Sequence, residues 1–204
     1  MPSREWFLVS KPLRPPFGDG TSVLVRTLVD ALPPEQRLAY FGDRAAPRRP
    51  GAEDFVIDKA AMGHAPGLMA KVGVLGEILR PRHRKRGLHF FFTPNRVTSQ
   101  VLAKLRKVSR GRPIVQSVTS SHGVERHAGL LKELDAVVVM SDHTRGRLIE
   151  AGLDAARVHT IHPAVEPAKQ FAEVGAKRML YAGDLDPATA GRLCALGKRL
   201  GESD

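Results

Sequence analysis

The 204-residue chain is 42% hydrophobic and 26% charged, the balance of a folded globular chain rather than of a disordered or fibrous one. Its single cysteine, Cys194, excludes an internal disulfide framework and a cysteine-based metal site and fits a reducing compartment; no apolar run approaches the roughly 20 residues that cross a bilayer. A formal net charge of +11 favours an anionic partner, whether nucleotide, phospholipid surface or nucleic acid, without choosing among them.

The opening "MPSREWFLVS" has too short an apolar stretch for a secretory signal, so a cytoplasmic location is expected. Within it "EWFLVS" (5–10) reads as a strand. A Pro/Gly-rich loop follows, then a helix beginning near Thr21, where Leu24, Leu28 and Leu32 form a stripe beside Val25 and Val29. Pro33 and Pro34 end it. "LAYFGD" (38–43) and "DFVID" (54–58) are the next strands, with the turn-rich "RAAPRRPGAE" between them. A helix over 65–80, a strand over 88–94, a helix over 97–108, a strand over 113–120 and a short helix over 127–134 come next. "AVVVMS" (136–141) is a strand, and the helix over 143–152 closes on Gly152, at the position that favours a left-handed conformation. The last strand of this set is 157–163. Strands apolar on both faces and separated by helices predict an α/β fold, a Rossmann-like parallel sheet with helices on both faces.

The tail changes character. "EPAKQFAEVGAK" (166–177) is polar and reads as a linker, after which "RMLYAGDL" (178–185) begins a strand and "TAGRLCALGKRLG" (189–201) a helix. One strand and one helix do not bury a core of their own. The expected organisation is a domain over 1–165, an interdomain linker over 166–177, and over 178–204 the start of an incomplete second domain; a terminal unit docked on the main sheet is the alternative.

Ligands of open parallel sheets sit beyond the carboxyl ends of the strands, where the loop "RPPFGDG" emerges. Gly18 and Gly20 let backbone approach a ligand closely, and the unpaired amides of a helix starting near Thr21 attract a phosphate or carboxylate. The dinucleotide fingerprint G-x-G-x-x-G fails here. Its third glycine is Val23, and the stretch from Ser10 to Gly18, with three prolines, is too long for its tight turn.

Taken together, "PPFGDGTSVLVRTLVDALP", "SSHG" (120–123), "AVVVMSDHTRGRLIEAGLDAARVHTIHPAVE" (136–166) and "RMLYAGDL" resemble the acceptor half of a GT-B glycosyltransferase of family 4, over nearly the whole chain. The resemblance implies two Rossmann-like domains facing a cleft, with the sugar nucleotide held mainly by the second, here cut after its first helix. It implies a retaining, hexosyl-type glycosyltransferase that passes a sugar from a nucleotide-diphosphate donor to a hydroxyl on a sugar or lipid-linked acceptor, as in polysaccharide biosynthesis. It implies no cofactor and no metal, and a chain inactive alone. Gly18, Asp19, Gly20 and Thr21 match the loop that approaches donor phosphates and acceptor. His122 matches a histidine near the transferred sugar, where a neutral imidazole hydrogen-bonds hydroxyls or stabilises positive charge at the anomeric carbon. Gly183 and Asp184 fall where the donor is faced, although the family commonly has a basic residue after that glycine. "HPAVE" likewise departs from the usual hinge at Ala164 and Glu166. The other reading is a non-catalytic Rossmann-like module, or a subunit partnering a separate donor domain.

Ser141 and Asp142 precede a helix and are most simply its cap; in the family they also lie at the cleft rim, as candidates for substrate binding. Asp184-Leu185-Asp186 forms a D-x-D too near the chain's end for the fold that uses it on a metal diphosphate. His159 and His162 are sent to opposite faces of their strand, which argues against a shared metal. "RPRHRKR" (Arg80–Arg86) carries five basic residues in seven, a pattern that attracts anionic membrane unless it is a solvated loop. Few aromatics are interleaved with basic residues, which argues against nucleic acid.

Overall fold

The apolar runs up to residue 163 become seven strands of one parallel sheet. β1 (Trp6–Leu13), β2 (Leu38–Gly42), β3 (Phe55–Asp58), β4 (Gly87–Phe91), β5 (Ile114–Val118), β6 (Ala136–Val139) and β7 (Val158–Thr160) lie in the order β3-β2-β1-β4-β5-β6-β7. All six pairings are parallel. This computed structural model describes residues 5–15, 17, 19–43, 45–46, 48–58, 68–92, 94–109, 111–120 and 123–162, with the backbone alone at 68–71, 96, 97 and 99. The chain divides into two units, Met1–Ala164 and Val165–Asp204. The expected linker and second-domain start, with Gly183 and Asp184, lie outside the described residues.

The helices are α1 (Gly20–Ala31), α2 (Leu68–Ile78), α3 (Arg96–Val108), α4 (Ala128–Leu131) and α5 (Asp142–Glu150). Alternation along the strands divides the core in two. Phe7, Val9, Ala39, Phe41, Leu88, Phe90, Ile114 and Val139 pack with Ile78, Leu102, Leu105, Leu131 and Leu148 from α2 to α5. On the opposite face, Leu8, Leu13, Leu38, Tyr40 and Phe91 pack with Val25 and Val29 of α1. Each fully buried Val, Leu, Ile or Phe among them contributes about 1.5–3 kcal/mol. The Rossmann-like α/β sheet with helices on both faces is the fold observed.

Two local expectations change. β1 does not end at Ser10 but continues through Pro12 to Leu13, with a register break against β2 between Leu8 and Leu13. Pro12 lies past Val9, the last residue registered on β4, so its missing N–H interrupts no bond of that ladder. The loop is correspondingly shorter. In α1 the buried stripe is Ser22, Val25 and Val29, while Leu24, Leu28 and Leu32 flank it. The sheet beneath presents bulky Leu8, Tyr40 and Phe91, and the shorter branched valines fit at the closest approach.

The turn-rich segment after β2 hides a buried ion pair. Arg49 Nη2 donates to Asp54 Oδ1 at 2.6 Å and Nε to Oδ2 at 2.9 Å, while Nη1 reaches the carbonyls of Leu32 (2.9 Å) and Pro33 (2.8 Å) and Nη2 that of Gln36 (2.5 Å). Both side chains are 4% exposed. Other arginines likewise donate to carbonyls at the amino edge of the sheet. Arg112 bonds Arg86 O and Ile78 O, Arg106 bonds Arg112 O, Arg145 bonds Val158 O, and Arg157 bonds Lys132 O and Leu134 O.

The basic stretch 80–86 is ordered around a buried acid, while Arg80, Arg82, Arg84 and Lys85 stay exposed to solvent. Pro81–His83 is a 3-10 turn with His83 buried, and Glu77, 4% exposed, binds Arg80, Arg82 and His83. Burial alone would raise the Glu77 carboxyl, but hydrogen bonds from Arg82 and His83 outweigh it and hold the group below the usual range. Arg86 pairs with Glu5 at 3.0 Å, and the Arg82 guanidinium stacks over Phe55 at 4.5 Å.

Candidate functional site

Because every strand is parallel, the loops after β1, β4, β5, β6 and β7 all emerge at one edge. The chain leaves β1 for β2 on one side and reaches β4 and β5 on the other, so strand order reverses between β1 and β4. Such a reversal opens a crevice beyond the carboxyl ends of its two strands. β1 and β5 flank β4, and at about 4.8 Å between neighbours their ends lie roughly 10 Å apart, a distance one sugar ring and its substituents span.

At the β1 side, Asp19 is the N-cap of α1. Its Oδ1 accepts from Ser22 N at 3.0 Å and its Oδ2 from Ser22 Oγ at 2.9 Å, and Lys11 Nζ lies 3.3 Å from Oδ2. Burial pushes the carboxyl up, but the Ser22 hydrogen bonds and Lys11 outweigh it and hold it below the usual carboxylate range. A carboxylate offers about four acceptor positions; three are taken here, and its charge is matched by Lys11. The expected phosphate cradle therefore carries a paired carboxylate at its mouth, better suited to a hydroxyl than to a second anion. A Cβ at Gly20 would meet no atom within 4 Å, so packing does not dictate glycine there. Thr21 is half-buried in the same turn.

Sequence reasoning missed the β4 side. Asn95 precedes α3, its Oδ1 accepting from Thr98 N at 3.0 Å and its own N–H donating to Thr98 Oγ1 at 2.9 Å. Gln116, a fully buried residue of β5, donates from Nε2 to Phe92 O (2.5 Å) and Ser117 O (2.9 Å), fixing the loop's first carbonyl. Its Oε1 has no hydrogen-bond partner among the described residues. The available signal was a glutamine and a serine inside the otherwise apolar strand "PIVQSV". On the α1 face, His89 Nε2 is 2.8 Å from Ser117 Oγ, and its ring stacks on Phe91 at 4.1 Å. Burial lowers the His89 imidazole to about 4, so it is neutral at pH 7.

The β6 side holds Ser141 and Asp142. Ser141 is the N-cap of α5, Oγ accepting from Thr144 N at 3.2 Å. Asp142 opens the first turn and is tied to the end of β7, accepting from Thr160 Oγ1 at 2.7 Å and lying 3.6 Å from His162 Nε2. After β5, Gly123 stands at φ +63° and starts the 3-10 turn Val124–His127, a backbone that glycine adopts without strain. The structure thus places Asp19, Gly20, Thr21, Ser141 and Asp142 on one edge. Gly18 and His122 lie outside the described residues.

No protein-family model matches the chain, and no curated protein matches it. Its fold is similar to that of Anabaena Alr3699/HepE, crystallised in complex with UDP and glucose. The TM-score is 0.50 at 13% identity, over 80% of this chain and 45% of that one. The same protein in complex with UDP-glucose gives 0.46 at 13% identity, over 78% and 43%. The chain spans less than half the length of this neighbour.

Proposed function

We propose that residues 1–165 are the acceptor-side domain of a retaining glycosyltransferase resembling family 4, with the linker 166–177 and the residues from 178 leading into a donor-binding domain. The observation that carries the proposal is the strand-order reversal between β1 and β4, in a fold shared with a protein crystallised with UDP and glucose. In the reaction, an acceptor hydroxyl oxygen bonds to the anomeric carbon of a hexosyl group as that carbon's bond to the nucleotide diphosphate breaks. The hydroxyl proton leaves with the diphosphate. The acceptor is a sugar or a lipid-linked sugar, as in polysaccharide assembly.

In this reading the α1 turn, with Gly18, Gly20 and Thr21, gives a close-approach surface, and the remaining acceptor position of Asp19 takes a sugar hydroxyl. Ser141 and Asp142 line the rim, and Gly183 and Asp184 face the donor. His122 stands near the transferred sugar, where its imidazole offsets charge developing at the anomeric carbon. Binding energy from the nucleotide orients the sugar for transfer, so a chain spanning 45% of its structural neighbour turns over no donor by itself.

The test is saturation-transfer NMR of the purified chain with UDP-glucose, related sugar nucleotides and oligosaccharide acceptors, alongside a product assay on the same mixtures. Saturation should reach acceptor sugars, fall in Gly20→Val without loss of thermal stability, and be accompanied by no glycoside above a blank. Acceptor contacts unchanged in both Gly20→Val and His122→Ala would remove the site. Robust transfer by the chain would overturn the division of labour, and sugar binding with no transfer even alongside a donor domain would favour the non-catalytic module.

A further inference from the structure

The solvent side of α2 departs from what a surface helix requires. A helix on a sheet normally turns polar residues outward, yet among the side chains described here the outward positions are Val72, Gly76 and Leu79. Val72 is 53% and Leu79 48% exposed. Leu79 extends the stripe by one position beyond the helix, its N–H still bonded to Leu75 O at 3.1 Å. The one acid of this stretch, Glu77, points inward and is buried. Directly after the stripe come Arg80 and Arg82, whose side chains remain 56% and 44% exposed although both bind Glu77. Arg84 and Lys85 follow, both exposed and with no described ion pair.

We propose that this stretch, residues 72–86, docks on an anionic lipid surface, with Val72 and Leu79 entering the headgroup boundary and Arg84 and Lys85 facing lipid phosphates. Two complementary features on one short piece of chain carry it. Glu77 and Glu5 neutralise two of the five cations between Arg80 and Arg86, so a positive excess stays beside an apolar stripe. Stable association with a membrane surface takes both an apolar and an electrostatic contribution. A nucleic acid would use the cations but leave the stripe in water, and this stretch offers no exposed aromatic on which bases stack. The Glu77 cluster gives the site its rigidity, holding Arg80, Arg82 and His83 on one buried carboxylate. Because residues 80–86 lead into the start of β4, the contact lies at the amino edge of the sheet and leaves the carboxyl-edge loops in solvent. The proposal does not rest on glycosyl transfer, and its test uses no sugar.

The test is flotation of the full chain with vesicles of phosphatidylcholine alone or with added phosphatidylglycerol, at rising salt. The chain should float with the anionic vesicles at low salt and leave them as salt screens the attraction. Arg84→Ser with Lys85→Ser should weaken binding by about thirtyfold, as two interfacial cations imply. Val72→Gln with Leu79→Gln should weaken it by about tenfold or more while keeping the salt dependence. All four positions are exposed, so thermal melts should match the parent. Failure of the parent to float overturns the proposal, as does either double variant floating like the parent. Capture on duplex DNA or RNA without flotation would assign the cations to nucleic acid and overturn it equally.

Discussion

Acidification should destabilise this protein well before its carboxylates titrate, and His89 is the main reason. The imidazole sits between β4 and β5 against Ser117, Phe91 and Trp6, where burial lowers it from 6.5 to about 4. The unfolded chain takes up this proton near pH 6.5 and the folded chain only near pH 4. Stability from this group is therefore complete above about pH 6.5, drains as pH falls, and is fully lost below about pH 4. At about 1.4 kcal/mol per pH unit between those limits, the loss is about 3–4 kcal/mol, a large share of the 5–15 kcal/mol typical of a domain. Buried His83 is lowered too, burial outweighing its bond to Glu77, and acts in the same direction, so the diagnostic quantity is a difference. Urea unfolding of the parent and of His89→Gln between pH 7.5 and 4.5 supplies it. The variant should be somewhat weaker at neutral pH, having lost the stack on Phe91, but its stability should fall less steeply. Equal slopes in the two proteins, or an NMR titration placing the His89 midpoint near 6.5, would refute the reasoning.

Arg49→Ala should lower stability by about 3–5 kcal/mol, because it leaves the Asp54 carboxylate and three carbonyls buried without their donor; differential scanning calorimetry should show a drop of about 6–20 °C. Arg49→Lys should recover little, since an ammonium does not reproduce the planar fork, and a melt close to the parent's would show the pair to be dispensable. Asp19→Ala should cost about 1 kcal/mol through loss of the α1 cap, whereas Asp19→Asn should keep the cap. Sugar binding that falls in Asp19→Asn at an unchanged melting temperature would give the carboxylate a part in recognition as well as in structure.

The strands were legible because apolar runs such as "LAYFG" and "AVVV" admit few other readings, and the cap at Ser141 because a short polar side chain before a helical pattern has a local geometric purpose; the same role at Asp19 was hidden by the glycines around it, which read as a ligand loop. Where sequence reading went astray, the deciding partner was distant. Pro12 seemed to close β1, since a strand proline is harmless only if no neighbour needs its N–H, and that depends on where β4 stops. Arg49 was lost among turn residues because its partners lie 5 to 17 positions away. The leucine stripe of α1 was misplaced because the side chains beneath it come from β1, β2 and β4. The β4 loop, its first carbonyl held by Gln116 of β5, becomes part of the candidate site only once the strand order is known, and periodicity carries no information about strand order.

The arginines that grip carbonyls at the amino edge change what the net charge of +11 means. A carbonyl carries a partial negative pole but no formal charge, so Arg49, Arg112, Arg145 and Arg157 are each satisfied in part by a partner that an acid–base count does not see. Part of the imbalance between basic and acidic residues is thus internal wiring, terminating helices and strand starts with cations in place of caps. A distant polyanion still feels the whole formal charge, but fewer guanidinium groups are free to meet it at contact than the count suggests. It also conceals a vulnerability: a set of arginine-to-lysine exchanges along that edge would leave titration and electrophoretic mobility almost unaltered while loosening the end of the sheet from which every strand begins.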